Sequence, residues 1–223
     1  MWRKQSPNLA SVAEEWFRSA EWDVHAQEEF EERLRRASSS YRSQYLRIKA
    51  LALMHHGGDA EARGARELLV RLIETYPGSG DIVIAHEHLG ELDAREGHRS
   101  AAEAHFRTAM RIAPERNTRG DAALRLPELL IEDDTDESRW EARQVLDAIR
   151  PGSLVFASQR FRFAVAQARL AQAEGNDAEA RRYAENALKE DGRDAPDFPR
   201  HPTVGLVTAD KTVIDEMQKL AGS

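Results

Sequence analysis

Apolar residues recur along this chain at helical spacing, in short segments cut by glycine, proline and polar turns. The pattern predicts a succession of helices and no strand. Trp16 and Phe17 are the bulky residues of a first segment over 8–20, which Ser11 and Glu14 open as a capping box. Trp22, Ala26, Phe30 and Leu34 form one stripe through 22–38, and Ser38-Ser39-Ser40 breaks it. Residues 41–56 are apolar on more than one side (Tyr45, Leu46, Ile48, Leu51, Leu53, Met54), as in a helix sandwiched between neighbours. Segment 60–76 turns Leu68, Leu69, Leu72 and Ile73 inward. Further helices are expected over 82–95, 101–113, 119–132, 138–149, 156–174, 178–190 and 208–221. Ser100 with Glu103 reads as a capping box for 101–113, and Asp81 as the N-cap of the helix before it. Pro127 begins or kinks a helix. Trp140, Val145, Leu146 and Ile149 are candidate core.

Pro77, Pro114 and Pro151 stand at equal steps of 37 residues, each closing an apolar helical segment. Gly97 and Gly175 are 78 apart, as are Ala102 and Ala180. A fixed period of this length marks stacked helical hairpins, each burying its apolar stripe on the next. The expected organisation is one all-α domain: capping helices over 1–40, four hairpins over 41–191, and a Pro-containing linker with a C-terminal capping helix over 192–223. Gly192, Pro196, Pro199, Pro202 and Gly205 forbid a long helix in the linker.

The frame His86-x-x-Leu89-Gly90-x-x-Asp93, followed by Ala102-x-x-x-Phe106, Ala109 and Pro114, resembles the tetratricopeptide repeat. Gly90 and Ala102 let two helices approach, and Phe106 fills the gap to the neighbour. His86 and Asp93 stand where the family has aromatics. A later unit is similar through Ala168, Gly175, Ala180, Ala184 and Ala187; the first keeps Ala65, Leu69, Leu72 and Pro77, and the third Pro151 and Ala142. The likeness covers about 41–191 and is best at 83–114. It implies a right-handed solenoid whose concave groove binds a protein or peptide. The groove positions it implies are Ile84, Glu87, Glu91 and Ala94 in one unit and Arg162, Val165, Arg169 and Gln172 in another, with Arg125 between. The Lys, Asn and Arg set of the family's carboxylate clamp is missing. Arg162 and Arg169 remain to grip an acidic partner.

The 223 residues are 41% hydrophobic and 32% charged, with net charge −7 and pI about 5.7. No basic stripe is present, so nucleic acid is not expected as a partner. Arg33, Arg35 and Arg36 follow Glu28, Glu29, Glu31 and Glu32, the pattern of a solvated helix face. There is no cysteine, which excludes disulfides and thiolate chemistry. The N-terminal run has no apolar core of a signal peptide and no segment approaches a membrane span, so a cytoplasmic location is expected. Arginine outnumbers lysine, in the manner of a GC-rich bacterial genome. Eight histidines form neither an HExxH nor an i,i+4 pair, and His86 and His88 point in different directions on a helix, so no metal or cofactor is expected. The acidic run 132–137 lacks the glycine of a calcium loop, and Gly78-Ser79-Gly80 is too short for a phosphate loop. Without a catalytic motif, the expectation is a non-catalytic adaptor. The alternative is a sensor in which segment 192–205 acts as a lid. The aromatic end (Trp16, Phe17, Trp22, Phe30) reads as a cap and leaves room for a homodimer.

Overall fold

The computed structural model describes residues 16–56, 58–116, 120–192 and 206–222. These residues form ten α-helices and no strand: α1 Val24–Arg36, α2 Arg42–His56, α3 Asp59–Thr75, α4 Asp81–Arg95, α5 Arg99–Ile112, α6 Ala122–Glu132, α7 Asp136–Asp147, α8 Ala157–Ala173, α9 Asp177–Asp191 and α10 Lys211–Ala221. None is long and apolar enough to cross a membrane. Packing divides the chain into two compact units, Met1–Arg119 and Gly120–Ser223.

Helices α2 and α3, α4 and α5, α6 and α7, and α8 and α9 pack as hairpins. Within each unit one rule repeats: the first helix of a hairpin lies on both helices before it. Helix α4 packs on α2 and α3, α8 on α6 and α7, and α10 on α8 and α9. Leu46, Leu53, Leu69, Leu72, Val83 and Phe106 are fully buried in the first unit. In the second, Phe161, Val165, Ala184 and Ala187 bury Met217 of α10.

Three of the four hairpins turn through three residues, and the middle residue is left-handed each time: Gly97 at φ 77°, Asp134 at φ 51° and Gly175 at φ 74°. Glycine reaches this region without a Cβ penalty, and aspartate tolerates it better than most residues. The third hairpin, least regular in sequence, therefore has the same turn with Asp134 in the glycine's place. After α4 and α8 the turn closes by bonds from His98 N to the Asp93 carbonyl and from Asn176 N to the Ala171 carbonyl, both 2.8 Å.

Close approach is built from small residues. A Cβ on Gly90 would lie 2.7 Å from the Phe106 ring, and one on Gly64 would overlap the Trp22 indole. Trp16 meets Phe17, Phe30 and Tyr45, and Trp22 meets Phe30, an aromatic cluster at the start of the first unit. Inside it Lys49 is buried, and its ammonium donates to the Ser19 and Glu21 carbonyls at 2.6 and 3.0 Å. Burial lowers its proton affinity, against the attraction of Glu21 and Glu29.

Several local expectations need correction. Residues 16–20 are turn and extended chain, not the end of a helix; the rest of the expected 8–20 helix, with Ser11 and Glu14, lies outside the described residues, as do the prolines of 193–205. Helix α5 starts at Arg99, so Ser100 is inside its first turn, and Glu103 pairs instead with Arg99 and Arg107. Asp81 is the first residue of α4 and accepts from Ser43 and Arg47 of α2, both at 2.8 Å. Pro127 sits within α6 and is buried. Trp140 is 65% exposed, because Ala142 and Leu146 occupy the inward face of α7.

Candidate functional site

The second unit holds a cleft of about 290 Å³ built on one face of α8. Ser158, Phe161, Arg162, Val165 and Arg169 fall at i, i+3, i+4, i+7 and i+11, so they share that face. Helix α6 adds Arg125 and Glu128. Val207–Asp210 and Val213 of α10 form the opposite wall. Phe161 and Val165 are buried and give an apolar floor between charged rims.

Ion pairs fix the rims. The Arg162 guanidinium donates to both Glu128 oxygens at 3.1 and 3.2 Å, and Arg125 approaches the same carboxylate at 3.8 Å. Arg169 holds Glu216 of α10 with its Nε and a terminal nitrogen, at 3.0 and 2.6 Å. The Glu216 hydrogen bond outweighs desolvation and makes Arg169 harder still to deprotonate. Asp210 caps α10, and the hydrogen bonds from Thr212 hold its carboxyl below the usual range.

Arg125, Arg162, Val165 and Arg169, four of the nine groove positions expected from sequence, thus come together. Gln172 is exposed and does not line the cleft. Glu87 and Glu91 belong to α4 in the first unit. Glu87 is buried, 6% exposed, so its carboxylate is not an open groove position; Glu91 lies 3.8 Å from the His88 ring. Sequence reasoning missed Glu128 and Glu216. Glu128 is three residues from Arg125 on a helix and carried a signal. Glu216 is 47 residues from Arg169 and carried none.

A polar network crosses the first unit. Arg66 of α3 pairs with Asp93 and Glu96 at 2.8 Å each. Asp93 is buried, with His105 Nε2 3.6 Å away and the exposed His98 ring at 3.9 Å. His105 Nδ1 lies 3.0 Å from His86 Nδ1. Desolvation, with the charges of His105 and Arg111, pushes His86 down to about 4; desolvation also lowers His105, against the pull of Asp93.

Comparison with known proteins returns no matching family model, curated protein or solved structure.

Proposed function

We propose that the chain is a non-catalytic adaptor of the tetratricopeptide type, and that the cleft on α8 receives an acidic peptide segment of another protein. The observation that carries this reading is the cleft itself: an apolar floor of Phe161 and Val165 between arginine rims. Such a surface suits an extended segment with one apolar and one acidic side chain. The ligand's carboxylate takes the place of Glu128 on Arg162, exchanging one charge-assisted pair for another. The repeat reading is supported by Gly90 beneath Phe106 and by the shared three-residue turns. The lack of a catalytic motif points the same way.

Fluorescence titration of peptide pools, acidic-apolar against basic-apolar, tests it. The acidic pool is expected to bind, and Arg162→Ala to weaken it about tenfold, the worth of one charge-assisted pair. Equal binding of both pools, or unchanged affinity in the variant, refutes the assignment.

A sensor in which the C-terminal segment gates the cleft is the second reading, favoured by Val207–Asp210 forming one wall. Ending the chain after Asp191 removes that wall and α10 together. If peptide affinity is unaltered, the segment is no gate.

A further inference from the structure

We infer that His86 and His105 form a binding site for a divalent transition-metal ion, held by the two Nδ1 atoms between helices α4 and α5. The pair sits on adjacent helices of one hairpin, and the helices are locked together by Phe106 against Gly90. The two nitrogens are 3.0 Å apart. An ion with bonds of ~2.0–2.1 Å in tetrahedral geometry holds two ligand nitrogens about 3.3 Å apart. The ring centroids are 5.2 Å apart, so the rings meet nearly end-on, and each must turn to aim its lone pair at the ion as the nitrogens part.

The surroundings of His105 match those of a metal-bound imidazole. Such a ring commonly turns its other nitrogen to a carboxylate, which fixes the tautomer and raises the basicity of the ligating atom. Here the Asp93 carboxylate lies 3.6 Å from His105 Nε2, beyond hydrogen-bond distance but near enough to attract the N–H, and Arg66 binds its other oxygen at 2.8 Å. Asp93 thereby favours the Nε2–H form of His105 and leaves its Nδ1 lone pair free to accept. In the metal-free protein His86 donates its Nδ1–H to that lone pair. An arriving ion takes the place of this shared proton. His86 then carries its proton on Nε2, so both rings stay neutral and no proton is released on balance.

Both rings are partly exposed. Water fills the remaining coordination positions. Imidazole nitrogen selects Zn²⁺, Ni²⁺ or Cu²⁺ over Mg²⁺ or Ca²⁺. Arg111 and Arg66 disfavour positive charge at His86 and His105 respectively, and two protein ligands are few, so affinity is micromolar rather than nanomolar. The alternative set, Asp93, Glu96 and His98, is already occupied by the Arg66 guanidinium.

The test is titration of the full chain, free of any histidine tag, with Zn²⁺ or Ni²⁺ followed by calorimetry and thermal melting. One ion is expected to bind with micromolar affinity and to raise the melting temperature by several degrees. His86→Ala and His105→Ala are each expected to lose at least tenfold in affinity, with His98→Ala unchanged. Nitrogen-detected NMR of the wild-type rings gives a reading that needs no variant: both Nδ1 resonances shift on metal addition. Absence of binding in the wild type, equal binding in the His86 and His105 variants, or loss of binding in His98→Ala would each overturn the assignment.

Discussion

Gly90 shows how little space separates the paired helices. A methyl group there must displace the Phe106 ring, which is itself buried, so Gly90→Ala is expected to cost about 2 kcal/mol in denaturant unfolding. Adding Phe106→Leu should return part of that loss, because the smaller side chain vacates the contested volume; strict additivity of the two changes would contradict the packing described. Gly97 has open space around it and is strained by conformation alone. Gly97→Ala is therefore expected to cost only ~1 kcal/mol, and no partner substitution should relieve it. His86 makes a different prediction. Its folded proton affinity lies below its unfolded value of about 6.5. Native protein thus holds the ring neutral while unfolded chain takes up a proton. The stability it contributes is complete above about pH 6.5 and drains away as pH falls toward about 4. Melts in chelator across that window should show the decline, and His86→Gln should lessen it, with His105 supplying the remainder.

Among the helices, α10 shows how an element is held on one side by packing and on the other by charge. Met217 is fully buried among Phe161, Val165, Ala184 and Ala187, while Arg169 clasps Glu216. Met217→Ala is expected to cost roughly 2–4 kcal/mol and Glu216→Gln about 1 kcal/mol, the pair being a third exposed. Hydrogen exchange should locate the loss in α10 first, and uniform loss of protection through α8 would contradict this order. The helices themselves were largely legible in sequence, because Gly97, Gly175 and the prolines at 77, 114 and 151 interrupt an otherwise plain apolar period. The third turn was illegible, since Asp134 adopts a glycine-like φ without being glycine. Trp140 misled for a related reason: apolar character predicted burial, but the small Ala142 takes the inward position.

For the molecule as a whole, each unit carries its own core, and the ion pairs of the cleft are closed within 120–223. A fragment of residues 120–223 is accordingly expected to give a helical far-ultraviolet spectrum and a cooperative melt; a random-coil spectrum would show that it depends on the preceding residues. The candidate cleft was half legible. Periodicity put Arg162, Val165 and Arg169 on one face of α8, but their acidic partners come from two other helices, and pairing over 34 or 47 residues leaves no local trace. The buried Lys49 supplies a readout for the opposite end of the chain. Trypsin recognises an extended lysine, and this one is shut beneath Trp22 and Phe30 with its ammonium on two carbonyls. Cleavage after Lys49 therefore proceeds only through opening of the aromatic lock, and the rate at which that one peptide bond is cut is a clock for how often the first unit comes undone.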